Sequence, residues 1–91
     1  MVKFSEFVGK VNHLNDTLNK FRFCGYSEEE WENKEIVDDL RRLRIIDLMR
    51  EVKIDDDKIE YDDCDMCEDE YYEFVEFFDE VIRKCENFVS Y

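Results

Sequence analysis

The sequence has 91 residues, of which 43% are charged and 44% hydrophobic, and its formal net charge is −13. This length allows one domain with a single modest core, and an aromatic content of 15% excludes a disordered acidic chain, which would be poor in aromatic residues. The acidic excess argues against direct binding to nucleic acids or anionic membranes, since both are negatively charged. We therefore expect one acidic interaction domain over residues 1–91, with a basic partner if charge guides binding.

The N-terminal segment contains no uninterrupted apolar run, so it predicts neither a signal peptide nor a membrane span. We expect a cytoplasmic protein, in the host cytoplasm if it is viral, with reduced cysteines. A first helix is predicted from apolar residues at alternating steps of three and four. They are Phe4, Phe7, Val11, Leu14, Leu18 and Phe21. This helix should end near Gly25 in the left-handed conformation, and His13 beside the stripe is interpreted as an exposed helix residue.

A second helix is predicted to begin at Ser27, which forms a capping box with Glu30. Its apolar residues change sides along the helix. Ile36, Val37, Leu40 and Leu43 share one face, whereas Ile45, Leu48, Met49 and Val52 fall on the opposite face. Two interpretations stay open: the helix is buried on both sides near its end, or it stops around residues 44–49.

Residues 50–62 fit a β-hairpin. Val52 and Ile54 alternate with charged residues, residues 55–58 form a polar turn, and Ile59 and Tyr61 alternate on the return strand. A helix that ends in an acidic loop is the competing interpretation.

A last helix is predicted from about residue 66 to 89. Its apolar stripe comprises Cys67, Tyr71, Phe74, Phe78, Val81, Cys85 and Phe88, widened by Val75, Ile82 and Val89. The predicted fold class is α+β: a small single domain with two N-terminal helices, a short β-hairpin and a long C-terminal helix. An all-α fold is the alternative.

The cysteines do not predict a four-cysteine zinc site. Cys67 and Cys85 lie eighteen residues apart on one predicted helix, roughly 27 Å, so they cannot share an ion. A site formed by Cys24, Cys64, Cys67 and a carboxylate stays open. The acidic residues do not have the spacing of a calcium-binding EF-hand loop. Because the sequence also lacks a phosphate-binding glycine loop and a nucleophile–base pair, we expect no enzyme, catalytic residue, metal or cofactor.

Residues 55–80 contain fourteen Asp and Glu and one Lys, so their formal charge equals the −13 of the whole chain. Asp69, Glu70, Glu73, Glu76, Asp79 and Glu80 occupy the side of the last helix opposite its apolar stripe, and Asp55, Asp56, Asp57, Asp62 and Asp63 would extend this surface from the hairpin. The charge density, roughly one per 3 Å of helix rise, is close to that of a DNA strand. A merely solvated helix face is the alternative, since the helix dipole favours acids near an N-terminus.

The acidic segment and the composition resemble those of phage-encoded anti-defence proteins, especially anti-CRISPR and anti-restriction DNA mimics. The resemblance implies stoichiometric inhibition, in which carboxylates occupy the Lys/Arg groove of a nuclease or CRISPR effector. In that role Tyr72 and Phe77 would be the buried anchors of the interface.

A small homodimeric interaction or regulatory module without DNA mimicry is the second hypothesis. It rests on the broad apolar stripes of the first and last helices and on a basic run. The run comprises Arg41, Arg42, Arg44, Arg50 and Lys53. These bases would bind an acidic segment of a second copy, or they would neutralise the acidic hairpin within one chain.

Overall fold

The computed structural model describes residues 1–23, 25–61 and 66–90. Within these ranges the chain is mostly helical, with four α-helices and two short β-strands. In chain order the elements are β1 (Val2–Lys3), α1 (Phe4–Phe23), α2 (Glu28–Glu32), α3 (Lys34–Asp56), β2 (Ile59–Glu60) and α4 (Glu68–Val89). Because three of the helices are long, the chain is elongated, with extents of 49 × 23 × 22 Å.

Helix α1 packs against both α3 and α4 and contributes more buried core residues than either of them. Five of its six predicted stripe residues are buried, and the sixth, Phe21, is partly buried against them. The buried five are Phe4, Phe7, Val11, Leu14 and Leu18. The prediction for this helix is confirmed, but Gly25 has no positive φ, so the predicted left-handed ending is wrong.

Helix α2 begins with the predicted capping box. The Ser27 hydroxyl accepts a hydrogen bond from the Glu30 backbone N–H (3.3 Å), and the Glu30 carboxylate accepts one from the Ser27 N–H (3.0 Å). Asn33 ends α2, and its side-chain amide donates to the Glu29 carbonyl oxygen (3.2 Å). Helix α3 then starts at the next residue, so the one predicted helix is two.

The predicted β-hairpin is wrong, because α3 continues through Val52 and Ile54 to Asp56. Strand β2 pairs instead with β1, in parallel, with Val2 opposite Ile59 and Lys3 opposite Glu60. Burial explains the difference: Val52 is fully buried on the same face of α3 as Ile45 and Met49, at helical spacing. The competing interpretation is correct in that the segment is helical up to Asp56, but Ile59–Glu60 then form a strand rather than a loop.

The apolar face of α3 that precedes Arg44 is not covered. Ile36, Leu40 and Leu43 are 60%, 60% and 56% exposed, whereas Ile45, Met49 and Val52 belong to the core. Neither sequence interpretation anticipated this arrangement, since the helix neither stops near residues 44–49 nor is buried on both sides.

Helix α4 agrees with the predicted range to within two residues at its start. Val81 and Cys85 are buried, while Phe74, Phe78, Ile82 and Phe88 pack against the core at its edge. The opposite side of α4 faces solvent and carries the acidic residues that the sequence singled out.

Candidate functional site

The acidic face of α4 consists of Asp69, Glu70, Glu73, Glu76, Asp79 and Glu80, and all six residues are exposed. Because the apolar residues of α4 pack on α1 and α3, helical spacing directs these carboxylates away from the core. Among the described residues, Glu80 is the member of this face that has an ion pair, with Lys84 at 3.2 Å. The face is therefore a row of carboxylates with little local neutralisation.

The end of α3 extends this acidic face. Asp56 and Asp57 lie at the surface there. Partial burial of the Asp56 carboxyl group, then the nearby charges of Asp57 and Asp79, raise the pKa of Asp56 above its ordinary value. Asp56 of α3 and Asp79 of α4 line the same cavity, so the two helices bring carboxylates to one place. The predicted site residues Asp62 and Asp63 lie outside the described residues.

Asp55 was predicted to belong to the exposed acidic surface, and this prediction is wrong. Its side chain faces α1, it is only 8% exposed, and the Lys10 ammonium lies 2.5 Å from its carboxylate. Asp55 therefore joins two helices, and its charge is already compensated.

The two predicted aromatic anchors differ in exposure. Tyr72 is 57% exposed and contacts Tyr71, with ring centroids 6.0 Å apart. Phe77 is partly buried, packs against the core and has its ring 6.4 Å from that of Phe74. The Tyr72 ring is thus accessible to a partner, whereas part of the Phe77 ring is buried against the core.

Alongside the acidic face, a cavity of about 180 Å³ has aromatic walls. Phe4, Tyr61, Tyr71 and Phe74 line it, and Asp56 and Asp79 carry its carboxylates. The Phe4 ring lies 5.5 Å from that of Tyr61 and 5.6 Å from that of Phe74. Sequence reasoning missed this cavity because its walls come from residues that are far apart in the chain.

The predicted basic run is largely paired within the chain. Arg41 lies 3.5 Å from Glu30, Arg42 lies 2.7 Å from Asp39, and Lys53 lies 3.2 Å from Glu86. None of these acids belongs to residues 55–80, so within the described ranges the run does not neutralise the segment that was predicted to be a hairpin.

The described cysteines have different environments. Cys67 is exposed at the N-cap of α4, whereas Cys85 is buried in the core, where burial raises its pKa to about 11. Cys24 and Cys64, which the open three-cysteine site requires, lie outside the described residues. In the part of the chain that is described, no three potential metal ligands cluster together.

Comparisons with family models, curated proteins and solved structures found no match to this chain. Over the described residues, every helix is too short or too polar to span a bilayer.

Proposed function

We propose that this protein is a non-enzymatic inhibitor that binds a basic, nucleic-acid-handling protein through the acidic face of α4. The observation that carries the proposal is the row of six exposed carboxylates on one rigid helix. At 1.5 Å per residue the row has roughly one charge per 3 Å, close to the phosphate spacing along a DNA strand. A Lys/Arg groove that accepts a nucleic-acid backbone would accept this row in its place.

The packing of α4 supports the proposal, because a fixed array of charges binds at a lower entropic cost than a flexible acidic tail. Val81 and Cys85 anchor the helix in the core, so the carboxylates on its other side keep their spacing. Close like charges destabilise a fold, and a function in binding accounts for their retention.

Asp56 and Asp57 widen the proposed binding surface, and Tyr72 provides an accessible ring beside it. In this proposal the target is a nuclease or CRISPR effector in the cytoplasm, as the resemblance to phage anti-defence proteins implies. Binding is stoichiometric and competes with the nucleic acid of the target.

The test begins with capture of partners from a bacterial lysate, followed by calorimetric titration of a purified partner. The acidic-face variant carries Glu73→Gln, Glu76→Gln, Asp79→Asn and Glu80→Gln. A control variant removes the same charge from exposed positions elsewhere, through Glu29→Gln, Glu32→Gln, Glu35→Gln and Asp47→Asn.

We expect the acidic-face variant to lose at least about thirtyfold in affinity, because about 2 kcal/mol is lost when a desolvated charge pair is broken. The control variant should bind almost normally. DNA should compete with the unmodified protein, and rising salt should weaken its binding because exposed charges are screened. Equal losses in the two variants, or no effect of salt and DNA, would refute the proposal.

As a second candidate we propose a homodimer formed through α3. The uncovered stripe of Ile36, Leu40 and Leu43 favours it, since exposed apolar rows of this kind are typical of interfaces. Charge complementarity points to a second copy. Along α3 the exposed acid Glu35 precedes the exposed base Arg44, so an antiparallel pair places their opposite charges together.

Light scattering after size-exclusion chromatography tests this candidate at low micromolar concentration. A dimer that becomes a monomer in Leu40→Glu, but not in Tyr72→Glu on α4, would support it. A monomer at every concentration tested would exclude it.

A further inference from the structure

The aromatic cavity beside Asp79 has the chemistry of a cation-binding pocket. Its walls are ring faces and edges: Phe4 and Phe74 meet nearly edge to face, as do Tyr61 and Tyr71 (centroids 5.9 Å apart). A hydrogen bond of 3.5 Å from the Tyr71 hydroxyl to the Tyr61 hydroxyl joins two of the walls. The faces of such rings attract cations because their π electrons are negative.

Two carboxylates from different helices line the same cavity, Asp56 at the end of α3 and Asp79 in α4. Among the described residues, neither has an ion pair. The pKa of Asp56 is raised, first by burial and then by the charges of Asp57 and Asp79. Its ionised form is thus less favourable here than in water, and a bound cation would reverse this cost.

The volume of the cavity suits the end of a basic side chain. About 180 Å³ is several times the ~30 Å³ that one water occupies in the liquid. The rings would contact the methylene stem, and the carboxylates would accept hydrogen bonds from its charged nitrogen. An uncharged apolar ligand would form no ion pair with either carboxylate.

We propose that this cavity binds the ammonium or guanidinium group of a lysine or arginine of the basic partner, which makes the inference dependent on the proposed function for its biological setting. The cation must carry N–H donors, because carboxylate oxygens need them to form hydrogen bonds. A quaternary ammonium group has none and should bind less tightly.

The first experiment needs no partner. The unmodified protein is titrated with n-butylammonium and N-butylguanidinium while the NMR signals of the Tyr61, Tyr71 and Phe74 rings are followed. The matched probes are 1-butanol, which is uncharged, and butyltrimethylammonium, which cannot donate. We expect saturable shifts with the first two probes, none with butanol, and at least threefold weaker binding of the quaternary cation.

Substitutions then test whether the carboxylates of the cavity bind the cation. Asp56→Asn should weaken binding of n-butylammonium at least tenfold, while Asp47→Asn, an exposed residue of α3 with the same charge change that neither lines the cavity nor belongs to the acidic face, should leave it nearly unchanged. Unsaturable shifts spread over the surface, equal binding of butanol, or equal effects of the two variants would overturn the cavity site. Quaternary binding as tight as that of n-butylammonium would overturn the assignment to unmodified basic side chains.

The same two variants are finally titrated against the partner. A tenfold loss confined to Asp56→Asn would support insertion of a partner side chain, and equal affinities would overturn it. Because the small cations are tested without the partner, failure of the proposed function can be distinguished from failure of the cavity site. In that case the acidic-face variant retains full partner affinity while n-butylammonium still binds the cavity.

Discussion

Lys10 in α1 donates a hydrogen bond to Asp55 in the last turn of α3, with 2.5 Å between Nζ and Oδ2. The same ammonium lies 3.0 Å from Glu51, one helical turn earlier in α3. The side chain of Asp55 is almost buried, so Lys10 compensates a carboxylate that solvent barely reaches. This contact joins the two helices at the point where the sequence pattern predicted the turn of a β-hairpin.

Replacing Lys10 by Met should lower the free energy of unfolding by about 1–2 kcal/mol, because the nearly buried Asp55 carboxylate loses its donor. The cost is moderate because the Lys10 side chain is itself partly exposed. Lys53→Met, which removes the solvent-exposed pair with Glu86, is the control and should cost less than about 1 kcal/mol. Urea unfolding measures both. Equal small costs would show that the Lys10 contact is an ordinary surface pair.

The contribution of Lys10 should disappear at high pH. The hydrogen bond to Asp55, then that to Glu51, raises the pKa of Lys10 above its ordinary value of 10.5. The folded state therefore holds the proton more tightly than the unfolded chain, and the stabilisation is complete below pH 10.5 and is lost as the pH rises through the folded-state pKa. The difference in unfolding free energy between the unmodified protein and Lys10→Met should stay constant below pH 10.5 and shrink as the pH rises above it. A constant difference would contradict this prediction.

Phe7→Ala should destabilise the protein by about 3–5 kcal/mol, since it creates a cavity in the core. Phe7 is 2% exposed and its ring contacts both Phe74 (6.0 Å) and Phe78 (5.4 Å) of α4. Phe23→Ala is the matched control: this ring is 75% exposed, and its loss should change stability by no more than about 0.5 kcal/mol. The measurement is thermal unfolding followed by circular dichroism. Equal melting temperatures for the two variants would contradict the assignment of Phe7 to the core.

Cys67 should react with iodoacetamide at least about tenfold faster than Cys85 in the folded protein, because the thiolate is the nucleophile and must be accessible. Cys85 is buried and its pKa is raised to about 11, so it stays protonated near neutral pH. The measurement is mass spectrometry of a Cys24→Ser/Cys64→Ser variant, in which these two thiols remain. Urea should bring the two rates together, and a rapid reaction of Cys85 without urea would contradict its burial.

Much of the structure followed from local sequence rules. The α1 stripe was predictable because strict steps of three and four over five turns are compatible with a single buried helix face. The start of α2 was predictable because a capping box involves residues only three positions apart. The exposed side of α4 was predictable for the same reason, because helical spacing alone specifies which of its carboxylates lie opposite the apolar stripe.

The tertiary structure decided the segments whose local pattern was ambiguous. Val52 and Ile54 are two residues apart, and so short an alternation fits a strand as well as the edge of a helix. The burial of Val52 against the core and the pairing of Asp55 with Lys10 resolve it as helix. These contacts lie up to 45 residues apart in the chain, beyond any local rule.

Part of the candidate site was predictable from local sequence, and part depended on the tertiary structure. Sequence periodicity alone placed Glu73 and Glu76 on the side of α4 that faces solvent. Three other features depend on how the helices pack. Asp55 is nearly buried rather than exposed, and the α3 stripe at Leu40 is not covered. The Phe4 ring lies beside that of Tyr61, which forms part of the aromatic cavity. The physical reason is that a helix pattern specifies which residues share a face, whereas the elements that pack against that face decide whether it is buried.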